Sequence, residues 1–482
     1  MKKISIYTLW VLVLLMACTK QPVPPPSPVL PVPSEEQLNW HEMELNAFIH
    51  FTTNTFTDLE WGYGDESPAV FDPAALDANQ WVKTIKSAGF KGLILTCKHH
   101  DGFCLWPSQY SPHSMAASPY KNGQGDLVEE VSEACKNHGI KFGVYLSPWD
   151  RNHPGYGQPD YVTYYRNQLK EVIDNYGPVF ELWFDGANGG DGYYGGANEK
   201  RIIDRKTYYD WPTTILQVRK LDTAILFFSD AGPDIRWCGN EAGYVNETNW
   251  NTLSPDTLYA GKSGVYDLLG TGSSDGTAWI PAEVDVSIRP GWFYHQSQDS
   301  LVKTPEQLFN IYLQSVGRGA LLLLNIPPDR NGLLRENDLR SLAGFKAIID
   351  SVFTNNLALN ATFYASNTRG NANEFSPDKL HDGNKDTYWA TDDSVHRADL
   401  EIRLNSPQVV QYLVIQEYIK LGQRIKEFEI EALENDRWTT IAHGTTVGYK
   451  RIVQFNPVET NGLRLKMLDS KACPVLSNIE IY

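Results

Sequence analysis

A chain of 482 residues is too long for one ordinary hydrophobic core and long enough for two domains. Its 42 basic and 58 acidic residues leave a net charge of −16, which argues against nucleic acid as a partner, while abundant tryptophan and tyrosine suit neutral sugars. Beyond Cys18 there are five cysteines, Cys97, Cys104, Cys135, Cys238 and Cys473; an odd number without metal-ligand spacing gives neither a zinc site nor a disulfide framework, and most are expected to be buried free thiols.

Met1-Lys2-Lys3, the apolar run 4–16 and the small residue Ala17 read as a bacterial export signal over residues 1–18. Leu15-Met16-Ala17-Cys18 resembles a lipobox, so Cys18 is expected to be acylated and the protein to reside in the cell envelope, as a periplasmic or outer-membrane lipoprotein touching the membrane only through its anchor. Residues 19–35 are rich in proline and are expected to form a stiff, extended spacer.

Over residues 36–352, apolar runs alternate with stretches of helical period, which predicts an α/β domain, a (β/α) barrel of the TIM type. The runs 47–49, 92–95, 141–146, 179–184 and 224–228 lead into His50, His99-His100-Asp101, Trp149-Asp150, Asp185 and Ser229-Asp230; the runs 282–288 and 320–326 complete the set. Helices are expected at 126–138, capped by Gly139, and at 160–176, closed by Gly177. Strand ends of such a barrel share one face, so these polar residues converge on one pocket. The glycine-rich stretch 186–196 lacks a phosphate-loop lysine and is expected to be a mobile rim, with Tyr193 and Tyr194 facing the outer sugars. Residues 353–482 change to short alternating runs, such as 400–404 and 428–432, which predict an antiparallel β-sandwich.

Several segments of the first domain together resemble the α-L-fucosidase family of retaining glycoside hydrolases. They are Phe48-Ile49-His50-Phe51, Glu60-Trp61-Gly62, Lys98-His99-His100-Asp101-Gly102-Phe103 and Glu181-Leu182-Trp183-Phe184-Asp185-Gly186. Arg236-Trp237-Cys238-Gly239-Asn240-Glu241 and Asp285-Val286-Ser287-Ile288-Arg289-Pro290-Gly291-Trp292-Phe293 look like the branch directed at α-1,3 and α-1,4 linkages. The second domain is similar to discoidin-like, galactose-binding-like modules through its Asp-Gly-Asn and Tyr-Trp signature at 382–389. The resemblance implies an exo-acting fucosidase of fucosylated oligosaccharides that needs no catalytic cofactor. A structural calcium ion near Asp382-Gly383-Asn384 is a further expectation.

Retaining hydrolysis needs one carboxylate to attack the anomeric carbon and a second, protonated group to release the leaving oxygen. Asp185 fits the nucleophile, since it follows a stiff apolar strand and shares a side with Trp183; nearby His and Arg are expected to hold it ionised. Glu241 is the first choice for the acid and Glu283 the rival, with aromatic walls raising the acid's pKa. By resemblance, His50, Glu60, Trp61, His99, His100, Tyr145, Trp183, Arg236, Trp237 and Trp292 bind the substrate. Two other readings stay open: a metal-dependent barrel hydrolase and a non-catalytic glycan-binding lipoprotein. Against the first, His99 and His100 are adjacent on a strand and so should point to opposite faces.

Overall fold

In a computed structural model, residues 22–482 are described, so the expected export signal and the expected acylation of Cys18 lie outside the described residues. Eight parallel strands close into a barrel in chain order: β1 (Leu45–Ile49), β2 (Gly92–Lys98), β3 (Lys141–Leu146), β4 (Glu181–Trp183), β5 (Leu226–Ser229), β6 (Ile235–Trp237), β7 (Ala282–Ser287) and β8 (Leu321–Asn325). The register closes where Leu45 faces Leu322 and Asn46 faces Gly92. Strand residues alternate between two buried faces, which is why the runs read as continuous hydrophobes. Phe48, Ile94, Tyr145, Phe228, Leu321 and Leu323 fill the lumen, while Ala47, Ile49, Leu95, Phe227, Leu322 and Leu324 pack on the outer helices.

The helices form where their caps predict. Asp126 caps Leu127–His138 through Glu129 N, and Gly139 ends it in the left-handed conformation, φ 67°. Gly177 closes Pro159–Tyr176 in extended rather than left-handed backbone. Helix Glu35–His41 starts with a capping box from Ser34 and Gln37, and its Trp40 plugs the N-terminal end of the barrel.

The sequence reading lacks β6. Only three residues long, it follows β5 after the loop 230–234 without an intervening helix, so the alternation of strand and helix lapses there.

The second domain is a seven-stranded antiparallel sheet. Its two 20-residue strands, Ala398–Glu417 and Arg451–Ser470, break register between Arg403 and Gln408, and their halves take different outer neighbours. The sheet thereby folds over one core that includes Trp389, Leu400, Phe428 and Leu465. The domain packs on the barrel: Tyr412, Val414 and Ile452 join the barrel's helix-side core, and Gln423 bonds to both Asn249 and Asn251.

The proline-rich segment is not a free spacer. Val29 N donates to Leu421 O at 2.9 Å, Arg369 reaches Pro24 O at 2.6 Å and Arg424 reaches Ser27 O at 2.7 Å. An extended proline-rich segment makes no hydrogen bonds within itself, so its carbonyls are open to the arginines of the second domain. All five described cysteines are buried free thiols.

Candidate active site

A cavity of about 450 Å³ opens at the C-terminal ends of the barrel strands. Phe48, His50, Trp61, His99, His100, Tyr145, Trp183, Asp185, Trp237, Glu241 and Trp292 all line it. Most of the expected site residues therefore meet, although their strands are far apart in sequence.

Asp185 stands just beyond β4. Its Oδ1 accepts from Ala187 N at 2.7 Å, and its Oδ2 accepts from the Tyr145 hydroxyl at 2.9 Å, with His100 Nε2 at 3.7 Å. Burial raises its pKa above the usual aspartate value, and these two hydrogen bonds oppose that rise. The expected cationic neighbours are not what hold it ionised, because burial drives the His100 pKa down to about 3, so that ring is neutral. His50 is likewise lowered to about 3 and His99 well below its ordinary value. Three neutral imidazoles can donate to and accept from hydroxyls, which suits a sugar better than a charged ligand.

His99 and His100 do not point to opposite faces, contrary to what their adjacency implied. Strand β2 ends at Lys98, the chain turns, and both rings face the cavity with centroids 4.2 Å apart. Among the described residues, no group of three or more His, Cys, Asp or Glu has the arrangement to hold a metal ion. In the second domain, Asp382 accepts from Asn384 N at 2.9 Å and from the Thr387 hydroxyl, with the Lys379 ammonium 3.6 Å away. Both carboxylates of that turn face a lysine, Asp386 standing 2.7 Å from Lys420 Nζ, so backbone carbonyls would have to supply most of the six to eight oxygens a calcium ion takes.

Glu241 lies at the cavity's exposed edge, where Trp292 Nε1 donates to its Oε2 at 3.2 Å. Partial burial raises its pKa, and the negative charges of Asp185 and Glu60 raise it further; the Trp292 hydrogen bond acts in the opposite sense. The aromatic wall therefore orients this acid, while desolvation and charge tune it. Trp237, the other expected wall, donates its indole N–H to Asp285 at 2.8 Å.

Glu283 is inside the barrel lumen, away from the cavity. Its Oε1 accepts from Trp183 Nε1 at 2.8 Å and Glu181 Oε2 accepts from Trp40 Nε1 at 3.0 Å, while the other oxygens, Glu181 Oε1 and Glu283 Oε2, are buried with no such donor. Two carboxyls in a closed lumen cannot both ionise, so one proton stays between them. Burial pushes Glu181 up to about 8; burial and the Glu181 charge push Glu283 well above its ordinary range. Glu283 supports Trp183, which stacks on Phe228 at 3.9 Å.

Two expected binders sit elsewhere. Arg236 is fully buried behind β6, donating to Leu269 O at 2.7 Å, Asn249 Oδ1 at 2.9 Å and Trp250 O at 2.9 Å, as well as to Ile280 O. Its position on β6, invisible in the sequence, turns it away from the cavity. Glu60 accepts from Trp292 N at 2.8 Å, Phe293 N at 3.2 Å and His295 Nε2 at 2.6 Å, so it fixes the loop that carries Trp292. Nor do Tyr193 and Tyr194 line the cavity. Tyr194 is buried against Trp149 and Tyr156, and a short hairpin of Gly190–Gly192 with Glu199–Arg201 structures the stretch expected to be a mobile rim.

Arg205, Lys262, Tyr266 and Asp285 also line the cavity without having been expected there, whereas Asp230 lines it as its strand end implied. The Asp230 carboxylate packs so tightly on Gly186 that a side chain there would collide with it.

A family profile described as "Alpha-L-fucosidase" matches residues 2–348, and one described as "F5/8 type C domain" matches residues 362–480. Alpha-L-fucosidase 1 of Arabidopsis thaliana is 41% identical over 465 residues, covering 95% of this chain and 89% of that protein. A glycoside hydrolase 29 family member from an unknown rumen bacterium superposes with a TM-score of 0.85 at 43% identity, over 95% of this chain and 78% of the other. A glycoside hydrolase 29 fucosidase of Ruminococcus gnavus, solved in complex with fucose, gives 0.86 at 34% identity, over 96% and 97%.

Proposed function

The chain belongs to the α-L-fucosidase family and hydrolyses α-L-fucosides with retention, and we propose that it takes terminal fucose joined α-1,3 or α-1,4, with Asp185 as nucleophile and Glu241 as acid and base. The observation that carries the assignment of roles is the contrast between the three carboxyls considered. Asp185 is fixed by two hydrogen bonds on the cavity floor, Glu241 stands at its open edge with a raised pKa, and Glu283 is sealed in the lumen.

In the first step, an Asp185 carboxylate oxygen attacks the anomeric carbon as the Glu241 carboxyl gives its proton to the departing oxygen. Tyr145 and Ala187 N hold the attacking group in line, so little reorientation is needed at the moment of reaction. In the second step, the Glu241 carboxylate takes a proton from water, which displaces Asp185 and restores both groups. His50, His99 and His100 are placed to bond the fucose hydroxyls, and Phe48, Trp183 and Trp292 present apolar surface for its methyl group.

The chemistry uses only carboxyl groups, so kcat is expected to survive exhaustive chelation. A calcium ion at the Asp382 turn would appear instead as a melting temperature that falls with chelator and recovers with calcium; loss of kcat restored by metal would overturn the mechanism. For linkage, the test compares kcat/KM on α-1,3-, α-1,4- and α-1,2-linked fucosyl oligosaccharides. The expected preference against α-1,2 is about tenfold or more, ~1.4 kcal/mol in transition-state binding. Equal cleavage of the α-1,2 linkage would sink the linkage proposal and leave the fucosidase standing.

A further inference from the structure

Four carboxyl groups, Asp185, Asp230, Glu241 and Asp285, line the cavity of a chain whose net charge is already −16. Two cations also line it, Arg205 and Lys262. Among the described residues neither makes an ion pair. Arg205 Nη1 donates to Gly261 O at 3.0 Å and Lys262 Nζ to Thr257 O at 2.6 Å, with Lys262 also over the Tyr259 ring at 5.8 Å, so the hydrogen-bond partner of each is a backbone carbonyl. A carbonyl orients a cation without neutralising it, and although the Arg205 charge favours ionised Asp230, no carboxylate among the described residues is in ion-pair contact with either cation.

Their position is built. Gly261, at φ +75°, donates its N–H to Asp230 Oδ2 at 2.7 Å, and a Cβ there would come within 2.8 Å of Gly186 O. The loop is therefore clamped on the turn that follows the Asp185 strand. A few residues later the same loop passes Glu241's side of the cavity, where Tyr266 meets Trp237 edge-on at 5.8 Å and packs its backbone against Gly239. This loop, with the helix Tyr266–Thr271 that follows it, thus runs from the nucleophile's side of the cavity to the acid's.

Resting on the fucosidase reading, we propose that Arg205 and Lys262 form an anion-recognising edge of the leaving-group site, selecting fucosides whose remaining sugars carry a sulfate ester or a carboxylate. Fucose itself is neutral and is met by neutral imidazoles, so an anion at this edge comes from the aglycone. Both anions suit the pair: a guanidinium gives a planar fork, and an ammonium gives a compact point charge.

The test measures kcat/KM on matched fucosyl oligosaccharides in three forms, neutral, sulfated and sialylated. Each set is made in α-1,2 and in α-1,3 linkage, so that the anion ratio is read on whichever linkage is cut, separately from the linkage proposal. At least one anionic form is expected to be cleaved about tenfold better than its neutral partner, with the advantage shrinking as salt rises. The sulfated and sialylated arms identify which anion is taken. In Arg205→Gln/Lys262→Gln that ratio should fall to about one, and in Lys262→Arg it should persist; melting temperatures certify the fold of each variant. A wild-type ratio of one or below on both anions overturns the proposal, as does a ratio that the double variant leaves unchanged.

Discussion

At the scale of single residues, the three carboxyls separate cleanly by experiment. Asp185→Asn keeps the shape and removes the nucleophile, so turnover should fall on the order of 10⁴-fold with the fold intact. A circular dichroism melt beside an aryl fucoside assay checks this, and near-normal kcat would refute the role. Glu241→Gln should spare an activated aryl fucoside and slow a poor leaving group by about 10² to 10⁴-fold. Glu283→Gln should slow both substrates alike, because that residue acts through Trp183. If the leaving-group contrast followed Glu283 instead, the assignment of the acid would be reversed. Much of this site was legible in the sequence: His50 and Asp185 end apolar runs, strand ends of a barrel must converge, and the family resemblance supplied Tyr145 and Trp183. Arg236 was misjudged because its motif says nothing about which way β6 turns it. Arg205 and Lys262 come from loops and Tyr266 from the start of a six-residue helix, where no periodicity exists to place a side chain.

At the scale of elements, β6 escaped detection because three residues carry no period and no helix precedes them. Strand β2 shows the converse limit: its apolar run was evident, but its end at Lys98 was not, and one residue decides where two histidines point. The pairing of β4 with β7 through Glu181 and Glu283 could not be read at all, since it joins residues a hundred positions apart across the lumen. It has a consequence for stability. Unfolded, these glutamates lose their protons near the ordinary value of 4.5; folded, Glu181 keeps its proton up to about 8. Unfolding therefore releases protons between those values, and stability falls as pH rises from about 4.5 towards 8. In Glu181→Gln, the amide supplies the hydrogen permanently, so the decline of melting temperature between pH 5 and 8 should flatten. An unchanged slope would show that the pair does not share a proton.

At the scale of the whole molecule, the two folds are one body in packing terms. Phe353 touches both Phe309 of the barrel's outer helix and Tyr412 of the second domain, and Arg451 pairs with Glu247. Deleting residues 356–482 would strip the cover from Tyr312, Phe309 and Phe353, so the truncated protein is expected to aggregate or to melt at a much lower temperature. A soluble, fully active barrel with an unchanged melting temperature would contradict the shared core. The sequence announced two modules by their change of periodicity, but domain packing depends on matching surfaces that periodicity does not describe.

The docking of residues 22–29 on the second domain also sets the path of mechanical load. A pull on the amino-terminal side of the chain reaches Arg369 and Arg424 before it reaches the helix that plugs the barrel. Tension applied there would thus be discharged into the second domain before it reached the barrel and its cavity.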